Sequence, residues 1–185
     1  NDLAGDIKNI LHGENRMRDF VGYTTPELNG RLSATFNAIR GTDELENNNL
    51  GDSISLSLNY KTELFYAVLS IDSEVRGYDS NRMSIYVPFN KTKLGFIYQD
   101  TKKLSTGVEE HGHVVSLSRK VGDRGTLKVQ IAKSDMKLDS GKQTSFGYDY
   151  NLSQELKIFF FSTDLTGKDM TKEKEIRAIG FEYKF

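Results

Sequence analysis

Apolar and polar positions alternate with period two along most of the chain, in segments of strand length. Residues 53–60 show this most clearly: Ile54, Leu56, Leu58 and Tyr60 fall on one face, Ser53, Ser55, Ser57 and Asn59 on the other. The same alternation groups Phe65, Ala67, Leu69 and Ile71, and again Met83, Ile85, Val87 and Phe89. Further on it sets Leu127, Val129 and Ile131 against Thr126, Lys128 and Gln130, and Phe146, Tyr148 and Tyr150 against Ser145, Gly147 and Asp149. Leu156 to Asp164, with Phe159-Phe160-Phe161, is apolar on both faces, and alternation does not assign its sides. Eleven strands are predicted, over 16–24, 31–40, 53–60, 64–73, 81–89, 94–101, 112–120, 125–134, 143–150, 156–164 and 175–185.

The connections carry a second pattern. Short turns are predicted near 25–30, 61–63, 90–93, 121–124 and 151–155, and longer polar loops near 41–52, 74–80, 102–111, 135–142 and 165–174. Short and long alternate throughout, as in an all-β, antiparallel up-and-down transmembrane barrel with tight turns at one rim and longer loops at the other. The polar partners along the strands are Ser, Thr, Asn, Gln, Lys and Asp, which suit a wall facing water. Strands standing in lipid must close, because no edge group can stay unpaired there. Bacterial single-chain barrels have even strand numbers. An odd count predicts that this chain is part of a barrel.

Composition narrows the function classes. With 185 residues and a formal net charge of −1, the chain has no basic footprint for nucleic acid. No apolar run reaches the roughly 18 residues of a membrane-spanning helix. The mean hydropathy of −0.53 does not argue against a barrel, because lipid-facing and water-facing residues average out. Cysteine is absent, which removes disulfides and thiol chemistry. Asn1-Asp2-Leu3-Ala4 is not a signal peptide; an exported protein would have lost its signal already.

The last predicted strand places Ile179, Phe181, Tyr183 and Phe185 on one face and Ala178, Gly180, Glu182 and Lys184 on the other. Phe181, Tyr183 and the terminal Phe185 resemble the C-terminal signature of outer-membrane proteins, which the barrel-assembly machinery reads. Phe20-Val21-Gly22-Tyr23-Thr24-Thr25-Pro26-Glu27-Leu28-Asn29-Gly30 resembles the Y-x-S-P-x-F-x-G strand and turn that follows the pore-constricting loop of Gram-negative general diffusion porins, with Leu28 in place of Phe. Gly147-Tyr148-Asp149-Tyr150-Asn151-Leu152-Ser153 resembles their Y-x-Y-x-L-S-K-R-T turn, with Gln154-Glu155 where the basic pair is usual, and the final strand is similar to their V-G-x-R-H-x-F ending.

The resemblance implies a sixteen-stranded barrel, usually a homotrimer in the outer membrane of a Gram-negative bacterium, with the C-terminus on the periplasmic side. Its third outer loop folds into the lumen. Residues 1–15 would be the remnant of that loop and 16–185 the eleven strands after it, the first five strands coming from an upstream segment or a second chain. The family implies contact with outer-membrane lipid and lipopolysaccharide, no cofactor and no enzymatic activity. Its pore is a throat with opposed charges. The resemblance puts acids on the infolded loop, here Asp2, Asp6 and Glu14, and an arginine at the throat edge, here Arg16, with Arg18 on the same face if the backbone is extended. Lys128, Gln130 and Asp149 are pore-lining candidates by alternation, and Glu182 and Lys184 fall nearer the rim.

Catalytic and metal signals are sparse. His111 and His113 share a face beside Glu109 and Glu110, but no third histidine or cysteine is near, and a polar outer-loop cluster is the plainer reading. His12 stands alone in the infolded loop. No metal site is expected. The rival readings are an outer-membrane β-barrel enzyme, which lacks a convergent His/Asp/Ser set here, and a soluble β-sandwich binding module, which would not explain the loop alternation or Phe185.

Overall fold

The computed structural model describes residues 6–13, 17–41, 49–137, 140–167 and 173–184. After a 3₁₀ turn at Ile7–Asn9, the described residues form eleven strands: β1 (Phe20–Thr24), β2 (Leu32–Arg40), β3 (Leu50–Lys61), β4 (Tyr66–Val75), β5 (Tyr78–Phe89), β6 (Thr92–Lys103), β7 (Glu109–Val121), β8 (Gly125–Lys137), β9 (Ser140–Asn151), β10 (Leu156–Thr166) and β11 (Glu173–Tyr183). They lie in one sheet in sequence order, β1 to β11. Every pairing with a described register is antiparallel. The eleven-strand, all-β, up-and-down prediction is met. From β2 onward the strands run 9 to 13 residues, enough to cross a bilayer when tilted.

Two compact units are distinguished: residues 13–86 with 97–111, and residues 1–12 with 87–96 and 112–185. In the first, Phe36, Leu56 and Ile71 lie in register on one face, with Leu58 beside Leu69. The opposite face carries Asn37, Ser55 and Asp72 in register. In the second, Val115 pairs with Ile131, Val129 with Phe146, and Phe160 with both Tyr148 and Ile179, while Ser116, Gln130 and Ser145 share the other face.

Burial runs opposite to that of a water-soluble sheet. Ser53, Gln99, Ser134, Gln143 and Thr163 are buried, whereas Ile54, Leu56, Leu58, Leu69, Phe146, Ile158, Phe160 and Phe181 are exposed. Exposed apolar area on this scale marks a surface made for an apolar medium. At the short-turn end of the apolar face Tyr60 and Phe65 pack with ring centroids 5.9 Å apart. This is where transmembrane barrels carry their aromatic girdles.

Alternation of short and long connections does not hold throughout. The expected loop at 74–80 is a two-residue turn, Arg76-Gly77, with φ of 53° and 78° and Val75 paired to Tyr78. Both central residues adopt the left-handed conformation of a tight hairpin turn, which Gly77 takes without strain. The expected loop at 135–142 is mostly strand: β8 runs to Lys137 and β9 starts at Ser140. Both hairpins carry a register shift, between Asp72 and Val75 and between Lys133 and Lys137. Polar residues beyond the apolar band can stay in a ladder, because strand pairing does not require lipid. Within the expected strand 16–24, the described residues 17–19 precede the strand, which begins at Phe20 just after Asp19 with its φ of 53°.

Register also assigns the doubly apolar stretch. Lys157, Phe159, Phe161 and Thr163 share the polar face, and Ile158 and Phe160 the apolar one. Two phenylalanines fit the polar face because they lie opposite Gly180 and Ala178.

Candidate functional site

The segment Asp6–His12 lies on the polar face of β7–β9. Asp6 caps the 3₁₀ turn: its Oδ1 accepts the Lys8 backbone N–H at 3.0 Å, and its Oδ2 is 3.4 Å from the Lys8 ammonium. The turn aims Ile10 and Leu11 at the wall, where both are fully buried. Burying two such side chains contributes about 1.5–3 kcal/mol each. Gly112 makes the fit possible, for a Cβ there would meet Leu11 Cδ2 at 2.4 Å and Ser134 Oγ at 3.0 Å. Val114, Ala132 and Met136 share this buried apolar set. Hydrogen bonds fix the ends: His12 Nε2 donates to the Met136 carbonyl at 3.0 Å, Asn9 Nδ2 to Gln143 Oε1 at 3.4 Å, and Lys137 Nζ to the Lys8 carbonyl.

Nearer the short turns, the same face carries a charge ladder across four strands. Lys128 Nζ lies 2.5 Å from Asp149 Oδ2, Lys157 Nζ is 3.9 Å from that oxygen, and Lys157 Nζ is 2.8 Å from Glu182 Oε2. Two cations alternate with two anions, so the ladder is close to neutral.

In the other unit, Arg82 sits on the polar face of β5. Its Nε and Nη2 donate to Gln99 Oε1 at 3.1 and 2.8 Å. Gln99 is buried and donates to Thr101 Oγ1 at 2.9 Å, and Thr101 meets Ser80 Oγ at 3.2 Å. This buried network fixes the guanidinium. A Cβ on Gly13 would lie 3.2 Å from Arg82 Nη2, so the chain passes directly over it.

Of the residues singled out from sequence, Asp2, Glu14, Arg16 and Phe185 lie outside the described residues. Arg18 is exposed and precedes Asp19, whose φ is 53°; its alignment with Arg16 lies outside the described residues. Lys128, Gln130 and Asp149 share the polar face as alternation requires. Phe181 and Tyr183 lie on the exposed apolar face. His111 Nδ1 is 2.5 Å from Asp100 Oδ1, which also accepts from the Tyr98 hydroxyl at 2.8 Å. No cluster of three metal-ligating groups occurs among the described residues.

Sequence reasoning passed over Arg82, Lys157 and Gly112. Arg82 was within reach, because Met83, Ile85 and Val87 already placed it on the polar face. Lys157 was hidden by the doubly apolar Phe159-Phe160-Phe161 run. Gly112 carries no pattern signal, since its role lies in what packs on it.

The sequence matches the model of the Gram-negative porin family over residues 2–169. No curated protein matches it in sequence. Solved structures are similar in fold. An anion-selective porin from Comamonas acidovorans has a TM-score of 0.68 and 21% identity, covering 91% of this chain and 60% of its own. A Rh. blastica porin variant has a TM-score of 0.71 at 11% identity, covering 90% and 68%. Salmonella typhi OmpF in complex with daunomycin has a TM-score of 0.69 at 12% identity, covering 90% and 62%. The chain therefore spans about three-fifths of the Comamonas protein.

Proposed function

The chain belongs to the Gram-negative porin family, and on that premise we propose that it forms part of the wall of an outer-membrane channel for passive diffusion of ions and small hydrophilic solutes. The observation that carries this reading is the inverted burial: a lipid-compatible apolar face, and a polar face on which Asp6–His12 is fastened. In this reading residues 1–15 are the end of the infolded constriction loop, and Asp2, Asp6, Glu14, Arg16 and Arg18 belong to the throat region. Lys128, Gln130 and Asp149 line the lumen, and Phe181, Tyr183 and Phe185 serve the assembly machinery. The short turns and the C-terminus face the periplasm. In the same reading further strands, five by the resemblance to sixteen-stranded porins, complete the barrel; closure itself is required because edge groups cannot stay unpaired in lipid.

The protein is read as non-enzymatic and as a homotrimer embedded in outer-membrane lipid, with lipopolysaccharide around its outer rim. Like-charged and opposite-charged groups on a wet wall tune passage without bond-making chemistry. The test is reconstitution of the detergent-extracted full-length protein in planar bilayers. Stepwise, ohmic conductance is expected. A protein that stays monomeric in plain buffer and gives no steps overturns the reading.

A further inference from the structure

On the polar face of the second unit, the charges at the short-turn end do not balance. The ladder Lys128–Asp149–Lys157–Glu182 compensates itself. Three more lysines share that face. Lys120 is opposite Thr126 and two residues beyond Ser118, which pairs with Lys128. Lys93 is two residues before Gly95, whose Cβ would meet Ser116 Oγ at 2.5 Å, and Ser116 is opposite Gln130. Lys184 continues the face two residues past Glu182, and its N–H donates to the Glu155 carbonyl at 2.9 Å. All three are exposed. None makes an ion pair with another described residue.

We propose that Lys93, Lys120 and Lys184 form a cationic collar on the channel wall at the short-turn mouth, which concentrates small anions there and gives the channel anion preference. This rests on the channel reading above. A wall with one excess sign of charge raises the local concentration of counter-ions and excludes co-ions. The lysines are exposed, so their field is screened: it reaches about 10 Å at 0.1 M salt and about 3 Å at 1 M. Anion preference from the collar therefore fades as salt rises. A preference set by fixed charges in direct contact with the permeating ion persists.

The experiment uses the full-length protein in planar bilayers under a KCl gradient, with reversal potential as the readout. The expected result is a chloride-to-potassium permeability ratio above one at about 0.1 M, falling toward one near 1 M. The triple variant K93Q/K120Q/K184Q should lower the ratio at low salt by about twofold or more, with single-channel conductance at 1 M unchanged. Equal conductance at 1 M shows that the variant has folded. The control K133Q/K142Q changes two lysines paired on the opposite face and should leave the ratio as it is. A ratio at or below one in the parent, or one unchanged in the triple variant, overturns the collar while the channel reading stands. Absence of any conductance steps overturns both.

Discussion

Leu11 occupies the space that a side chain at residue 112 would need, with its Cδ2 only 2.4 Å from where a Cβ on Gly112 would stand. The contact joins residues far apart in sequence and seats the segment Asp6–His12 on the wall of β7–β9. A methyl group at 112 must push Leu11 out or move the strand. Overpacking of this kind costs about 1–3 kcal/mol. Gly112→Ala is therefore expected to loosen the segment while the sheet persists. In the reconstituted channel it should raise current noise or change conductance, and limited proteolysis should cut within residues 6–13 faster than in the parent. A variant with parental noise and parental cleavage would show that Leu11 does not hold the segment.

A second close approach lies on β10–β11. Gly180 is opposite Phe159, and a Cβ on it would come within 2.6 Å of the ring. The ring covers the glycine and shields its backbone, a device that recovers packing where the glycine has none to offer. Gly180→Val should force the ring away and cost about 1–3 kcal/mol. Its expected signature is a lower unfolding midpoint in detergent, with partial rescue by Phe159→Leu. If the single and the double variant unfold alike, the ring does not rest on the glycine in the folded protein.

These two glycines mark the limit of what the sequence discloses. Alternation in Ser53–Tyr60 and Phe146–Tyr150 reveals strand number, faces and topology, because a half-lipid, half-water wall imposes period two on every strand. It places Lys128 and Asp149 on one face correctly, and their ion pair follows from register. It says nothing about Gly112 or Gly180, whose importance comes from Leu11 and Phe159. It also misjudges 74–80 and 135–142: runs of polar residues look like loops, yet a ladder continues wherever the turn residues can close it, as Gly77 does with φ 78°.

At the turn after β1, Gly30 has φ 63° and no atom within 4 Å of a built Cβ. Any cost of substitution there is conformational. Left-handed backbone costs an ordinary L-residue about 1–2 kcal/mol, and asparagine less. Gly30→Ala should lower stability by about that amount and Gly30→Asn by clearly less. Denaturant unfolding of the two variants, side by side with the parent, gives the order. Equal losses would mean that steric crowding, not φ, governs the position.

The inverted burial makes a sharper demand on two neighbouring residues of β3. Leu56 lies between Phe36 and Ile71 on the exposed apolar face, whereas Ser55 lies between Asn37 and Asp72 on the polar one. A cation on the lipid-facing side of a barrel strand costs about 2–4 kcal/mol near the bilayer midplane, falling to about 0–1 kcal/mol near its edges. On the water-lined side a long cationic side chain keeps its hydration and gains the Asp72 carboxylate as a neighbour. Leu56→Arg is therefore expected to impair folding into phospholipid vesicles strongly, and Ser55→Arg to fold nearly as well as the parent while altering ion passage. The pair can be measured in one folding titration, because both substitutions add the same charge at adjacent positions of the same strand. Equal tolerance of the two would mean that Phe36, Leu56 and Ile71 do not face lipid, and the assignment of faces across β2, β3 and β4 would fall with them.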